Sequence, residues 1–303
     1  MTKTYDGRWI LRTMLFTAGH NEKYIDKALG SNADCIVLDL EDAVPDGMKD
    51  KARNLIRDTL SGDSQSNKPI MVRINALESG LTLIDLDSVC CKNLCGFILS
   101  KPYCGDDIKA FDAMLTLKER ALELEIGHFD IIPLMETSQS VLKAYEIAVA
   151  SPRVIGLLFG CEDFLADSEG SYGPDERTLL LPRHLILLAA RAAKIVPIDC
   201  PYVHAHDDAG LREHTQQAKE LGFEGMLVMS PQQIDIIREM YTPSNKEVAE
   251  AITMVQCAED AVKNNRGIAI YDGKLIAPPT LKGAQKILSR SEAIKRFEES
   301  RND

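Results

Sequence analysis

Five charged residues recur at nearly even intervals along this chain. Glu41, Arg73, Lys101, Glu136 and Asp163 are separated by 32, 28, 35 and 27 residues. Each lies at or just past the end of a short apolar run: "CIVLDLED", "MVRIN", "ILSKP", "IIPLME" and "GLLFGCED". Asp39 and Asp42 flank Glu41, so three acids leave one hydrophobic strand within four positions. Carboxylates this close to buried apolar residues are costly unless something positive meets them. Arg73 and a bound metal are the candidates for that charge.

The residue types suggest specific chemistry. Two carboxylates from separate strands, completed by waters and substrate oxygens, suit Mg²⁺, with Mn²⁺ as the alternative ion, and Glu136 and Asp163 form such a pair. They also read as ordinary loop acids or helix caps: Asp163 suits a short helix, and Glu136 precedes Thr137 and Ser138, both good N-caps. A guanidinium on a strand end grips a carboxylate through two parallel hydrogen bonds. Arg73 therefore reads as a substrate anchor, or as a structural partner of Glu41 or Asp42, and both roles can coexist. A Schiff-base role for Lys101 needs a depressed pKa, which the surrounding acids oppose, so an electrostatic role is preferred. His204 and His206, two apart in "PYVHAHDD", fall on one side of an extended segment. They read as a metal pair or as plain loop histidines.

Groups so spaced need a scaffold that brings strand ends together. The chain alternates apolar strands with helices of 3.6-residue period. "RTMLFTAG" is followed by "EKYIDKALGS", "CIVLDL" by "MKDKARNLIRDTL", "PIMVRIN" by "LTLIDLDSVC", and "GFILSK" by a long helix from Asp106 to Glu125. "DIIPLMET" precedes "SVLKAYEIAVA", and "VIGLLFG" leads through a polar insertion to "LLLPRHLILLAARAAK". "VPIDCPYV" precedes "AGLREHTQQAKELG", and "GMLVMS" precedes "PQQIDIIREMY". Eight units imply a (β/α)8 TIM barrel over residues 1–241, whose C-terminal rim would collect the five charges. A doubly wound open sheet is the competing fold. From residue 242 to 303 the pattern changes to a helix, a hairpin "GIAIYDGKLI" turning at Asp272-Gly273, and "LKGAQKIL". This stretch reads as a C-terminal appendage on the barrel or on a neighbouring subunit, with the last dozen residues frayed.

Composition narrows the class. A net charge of -11 over 303 residues, with no basic stripe, argues against nucleic acid. No apolar run approaches the roughly 20 residues of a membrane helix, and "MTKTYDGRWILRT" lacks a signal-peptide core. A soluble, cytoplasmic protein is expected. Eight scattered cysteines do not make a disulfide framework. Cys90, Cys91, Cys95 and Cys104 cluster without a common zinc spacing, and Cys35, Cys161 and Cys200 read as small strand hydrophobes.

Taken in order, "LFTAGHNEKYIDKAL", "DCIVLDLEDAVPDGMKDKAR", "MVRIN", "IIPLMET" and "SPRVIGLLFGCEDFLAD" resemble the successive motifs of the citrate lyase β-subunit-like family, within the HpcH/HpaI aldolases. The resemblance continues through "LLAARAAKIVPIDCPY", "KELGFEGML", "YTPSNKEVAEA" and "DGKLI". It implies a Mg²⁺-dependent (β/α)8 lyase, trimeric or hexameric, that joins or splits an acetyl-type thioester and a 2-oxo acid. By the same resemblance Glu136 and Asp163 would hold the metal, Arg73 would bind the oxo-acid carboxylate, and Glu41 and Asp42 would line the metal pocket. Arg73, Glu41 and Asp42 are thus the catalytic candidates, and Arg73 and Lys101 the substrate-binding ones. Acyl-coenzyme A and a 2-oxo acid are the implied small-molecule partners.

Three positions depart from the family's pattern: Ala277 stands where an Asp usually acts as acid/base, Ser100 where Pro is common, and Met229 where His is frequent. The catalytic histidine that related class II aldolases carry near Asp42 is also missing, which favours the lyase-like branch. Ala277 leaves open an aldolase acting on a free hydroxy-oxo acid, or a non-catalytic metabolite-binding homologue.

Overall fold

The apolar runs form strands because the fold covers them on both faces, where β-branched and aliphatic side chains pack best. The computed structural model describes residues 10–62, 68–173, 176–204, 206–264 and 269–301. In chain order the first part comprises β1 (Thr13–Ala18), α1 (Glu22–Leu29), β2 (Cys35–Asp39), α2 (Lys49–Ser61), β3 (Ile70–Ile74) and α3 (Thr82–Val89). Then come β4 (Gly96–Leu99), α4 (Gly105–Ala121), β5 (Asp130–Met135), α5 (Ser138–Leu142), α6 (Ala144–Ala148), β6 (Gly156–Phe159) and α7 (Cys161–Asp167). The series closes with α8 (Arg177–Ala193), β7 (Val196–Asp199), α9 (Asp208–Leu221), β8 (Gly225–Val228) and α10 (Ile234–Tyr241).

The eight strands pair in parallel and in sequence order, and β8 returns to pair with β1 through Met226 opposite Thr13. That closure makes a (β/α)8 barrel and eliminates the open sheet. Every residue of β2, β4, β5, β6, β7 and β8 is buried. Register sets the site: Asp39 at the end of β2 lies opposite Arg73 of β3, and residues paired across neighbouring strands point to the same side of the sheet.

Two compact units divide the chain, one spanning Leu11–Glu239 and the other Met240–Asp303 together with Ile10. The second unit holds α11 (Asn245–Lys263), the hairpin strands β9 (Ile270–Tyr271) and β10 (Lys274–Leu275), and α12 (Pro278–Glu299). Ser244 and Glu247 form a capping box that starts α11. Asp272 and Gly273 both have positive φ, 47° and 72°, the conformation that a two-residue hairpin turn requires. Gly267 and Ile268 of the expected hairpin, and most of the N-terminal stretch, lie outside the described residues.

Local expectations needed revision in three places. "SVLKAYEIAVA" is two short helices that meet at Lys143, whose φ of −103° and ψ of 16° leave the helical range. The C-terminus is helical to Glu299, because Ile294 and Phe297 are buried with Ile10 in a small core. Among the cysteines read as strand residues only Cys35 is one; Cys161 opens α7 and Cys200 follows β7.

Candidate active site

Asp39 is the hub of the basic side of the site. It accepts from Arg73 Nε at 2.7 Å and from Arg73 Nη2, and also from the backbone N–H groups of Glu41 (2.9 Å) and Ala43 (3.0 Å). The second pair is a tight turn that folds the acidic segment over the end of β2. Arg73 Nη1 lies 3.0 Å from Glu41 Oε2 and 3.7 Å from Asp42 Oδ2, and the guanidinium stacks 5.4 Å from the Phe16 ring centroid. Burial alone would lower the Arg73 pKa, but Asp39, then Glu41 and Glu136, raise it. Counting partners among the described residues, one of its five N–H groups on each Nη remains for a further carboxylate.

Lys101 links the two halves. Its Nζ lies 2.9 Å from Glu41 Oε1, 3.6 Å from Asp42 Oδ2 and 3.5 Å from Asp163 Oδ1. Its backbone is left-handed, with φ 49°, a conformation that costs a non-glycine residue about 1–3 kcal/mol and clusters at functional sites. This geometry aims the Lys101 N–H at Glu136 Oε1, 2.9 Å away. The acids raise the ammonium pKa against burial, so Lys101 stays charged and a Schiff-base role does not fit.

Glu136 follows β5 and is 1% exposed. Burial, then the charges of Glu41 and Asp163, push its pKa well above the usual carboxylate range. A glycine opposes it: a Cβ on Gly160 would sit 2.8 Å from Glu136 Cβ and 3.0 Å from Oε2. Thr137, next in sequence, caps α5, so the cap belongs to Thr137 and leaves Glu136 free to face the cavity. Asp163 is the third residue of α7, whose N-cap is Gly160; it lines the cavity rather than capping the helix. A buried glutamate beside two further acids is disfavoured as an anion, and a hard divalent cation relieves that repulsion as a proton does. Glu136 and Asp163 fit such an ion in donor type and setting.

Burial raises Glu41, and Arg73 does not cancel the effect. Burial also works against ionised Asp42, but a hydrogen bond shared with Glu41 and the charges of Arg73 and Lys101 outweigh it and hold Asp42 low. Asp42 is therefore an ionised carboxylate, half exposed, on the wall of a cavity of about 360 Å³. Arg73, Glu136, Asp163 and Met229 also line that cavity. The structure thus brings Glu41, Asp42, Arg73, Lys101, Glu136 and Asp163 to one rim. It leaves His204 edge to face with Tyr202, with ring centroids 5.3 Å apart, and His206 exposed. Neither histidine joins the group of His, Cys, Asp and Glu ligand atoms that does gather among the described residues. The clustered cysteines Cys90, Cys91, Cys95 and Cys104 do not join it either. Two contributions escaped sequence reasoning. Asp39 as the holder of Arg73 could have been found by counting strand register; the Gly160 contact needs coordinates.

Residues 12–231 match the family model described as HpcH/HpaI aldolase/citrate lyase. The chain belongs to this family. It is accordingly a lyase-family enzyme, as the ordered motifs suggested. The citrate lyase subunit beta of Escherichia coli K12 is 32% identical, over 93% of each chain. A (3S)-malyl-CoA thioesterase of Cereibacter sphaeroides is 30% identical, over 95% of this chain and 97% of its own. Among solved structures, the protein CitE of Mycobacterium tuberculosis in complex with magnesium, acetoacetate and coenzyme A superposes with a TM-score of 0.74. The two are 28% identical, and the match covers 93% of this chain and 98% of that one. Of the three positions expected to depart from the family's pattern, Met229 lies on the cavity wall, Ser100 Oγ donates to the Ile74 carbonyl, and Ala277 is the N-cap of α12.

Proposed function

We propose that this chain is a Mg²⁺-dependent carbon–carbon lyase. Its substrate would be a 3-hydroxyacyl thioester of the citryl, malyl or citramalyl type, split into acetyl-coenzyme A and a 2-oxo acid or formed from them. The observation that carries the reading is the buried Glu136 beside Asp163, facing Arg73 across one cavity. The magnesium and coenzyme A bound to the Mycobacterium tuberculosis relative support the ion and the thioester.

In this reading Glu136 and Asp163 hold Mg²⁺, which when bound acidifies the substrate hydroxyl and stabilises developing negative charge. Arg73, fixed by Asp39, grips the substrate carboxylate with its two remaining Nη hydrogens. Lys101 keeps Glu41 apart from Glu136 by lying against both, through Nζ and backbone N–H. Cleavage moves one proton overall, from the hydroxyl oxygen to the carbon released as the acetyl methyl. Asp42, held ionised at the cavity wall, is the group of this chain suited to take that proton at Oδ2 and return it to carbon. That assigns to Asp42 the task Ala277 cannot perform, a contribution of about 10²–10⁴-fold in rate. Homo-oligomerisation as a trimer or hexamer belongs to the same proposal. The exposed Leu142 (80%), Leu181 (68%) and Leu188 (63%), on α5 and α8, which pack together, support it.

The test is to present citramalyl-, malyl- and citryl-coenzyme A with Mg²⁺ and to follow acetyl-coenzyme A and the oxo acid. Turnover abolished by EDTA and by Glu136→Ala is the expected result. The thioesterase relative at 30% identity favours a second reading, thioester hydrolysis, which the same assay detects as free coenzyme A with no oxo acid. Absence of all turnover, with Mg²⁺ and an oxo acid still bound, would leave free-acid aldol chemistry or a metabolite-binding role.

A further inference from the structure

At the end of β7, away from the carboxylate pair in sequence, Asp199 and Cys200 meet His214 of α9. One ligand atom from each of the three lies within 4.8 Å of the other two, and all three residues are buried. Arg183 of α8, also fully buried, holds Asp199 through Nε at 3.1 Å and through Nη2. Glu176 orients the imidazole: His214 Nδ1 lies 2.9 Å from Glu176 Oε2. When Nδ1–H donates to that carboxylate, Nε2 carries the lone pair, the arrangement by which carboxylates prepare histidines as metal ligands. Yet the buried His214 Nε2 has no hydrogen bond among the described residues and faces Asp199 Oδ2 at 3.8 Å. Two acceptors facing each other in a dry interior are unfavourable unless something positive stands between them. The separation is too long for a hydrogen bond, but it is near the roughly 3.3 Å between two ligands of a tetrahedral ion with ~2.0–2.1 Å bonds.

We propose that Asp199, Cys200 and His214 form a second metal site, for zinc or a similar borderline-soft divalent cation, distinct from the Glu136–Asp163 pair. Thiolate with imidazole selects such an ion over Mg²⁺. Cys161 does not join these three ligand atoms, and its thiol lies 3.2 Å from the Tyr172 hydroxyl, so three protein donors leave a fourth position for water. Binding converts Cys200–SH to a metal-bound thiolate and releases one proton to solvent. Asp199, Glu176 and that thiolate then balance Arg183 and the divalent ion. The site ties the end of β7 to α9.

Cobalt(II) tests this on the full-length, EDTA-stripped protein, because a Co²⁺–thiolate bond gives a charge-transfer absorption that an all-carboxylate site cannot. One equivalent of Co²⁺ is expected to produce that band, Zn²⁺ to abolish it by displacement, and Glu136→Ala to leave it unchanged. Cys200→Ser should remove the band, whereas a variant lacking Cys90, Cys91, Cys95 and Cys104 should keep it. Zn²⁺ should raise the melting temperature of the wild-type protein by several degrees, and do less for His214→Gln. No band at one equivalent would overturn the proposal. A band that survives in folded Cys200→Ser, or vanishes with the four clustered cysteines, would overturn it equally. Should Cys200→Ser fail to fold, the four-cysteine variant decides alone.

Discussion

Replacing Asp39 with Asn tests the central electrostatic claim. The carboxylate accepts two hydrogen bonds from Arg73 and one each from the Glu41 and Ala43 backbone, and it is 1% exposed. Asn offers one acceptor oxygen, so its amide group must face either Arg73 or a backbone N–H, donor against donor. Removing one partner of a buried pair costs about 3–5 kcal/mol. Glu41, 3.0 Å from Nη1, recovers part of that by turning the guanidinium toward itself. A loss of about 3 kcal/mol in urea unfolding is therefore expected. Arg73 would then present a rotated fork to the substrate; losing one charge-assisted pair, about 2 kcal/mol, corresponds to roughly 30-fold in kcat/KM. Equilibrium unfolding and steady-state cleavage on the same variant measure both. If Asp39→Asn loses under about 1 kcal/mol and keeps its KM, Arg73 is held by something else and the reasoning fails.

Other outcomes follow from the same geometry. Gly160→Ala forces a methyl against Glu136 and should weaken Mg²⁺ binding by about tenfold, some 1.4 kcal/mol, read by calorimetry; unchanged affinity would show that Glu136 is not a ligand. Glu136 is raised by burial and neighbouring acids, so the metal-free fold is most stable below the ordinary glutamate range. It loses stability as pH rises through the Glu136 value. Added Mg²⁺ should cancel that loss, and its affinity should climb with pH over the same window; a flat Mg²⁺ affinity from pH 5 to 8 would refute the competition with the proton. Asp42→Asn should lower kcat by about 10²–10⁴-fold with little change in Mg²⁺ binding; retention of kcat would remove Asp42 as the proton carrier. Ala277 is the N-cap of α12 and makes no side-chain cap bond, so Ala277→Asp should stabilise the fold by about 0.5–2 kcal/mol whether or not it alters turnover. Thermal melts separate that gain from catalysis.

Fold and site were legible to different depths. Eight apolar runs each followed by a helical period imply a barrel because strand and helix periods differ and parallel strands need crossovers. Only the β1–β8 pairing could exclude the open sheet, and closure is a long-range property that no local pattern carries. The five rim charges were visible because each ends its own strand. Arg73 was expected to meet the acids that end β2, with Glu41 or Asp42 as its partner; that Asp39 is the one holding it requires the register between β2 and β3. His214 gave no signal: it sits inside an amphipathic helix, 14 residues beyond Cys200, and only the fold brings them together. His204 and His206, in plain view in a loop, drew attention that the geometry gives to His214.

The hold on Glu136 at Lys101 has a bearing on how this rim tolerates change. The bond comes from the main chain, so replacing the Lys101 head group alters the charge beside Glu41 and Asp163 but leaves Glu136 tethered. What the tether demands is a residue content with left-handed backbone. Glycine or asparagine would keep it, while valine or isoleucine would strain against it. Position 101 is therefore a place where the field around the metal pair can be retuned, in evolution or by design, without rebuilding the carboxylate's anchorage.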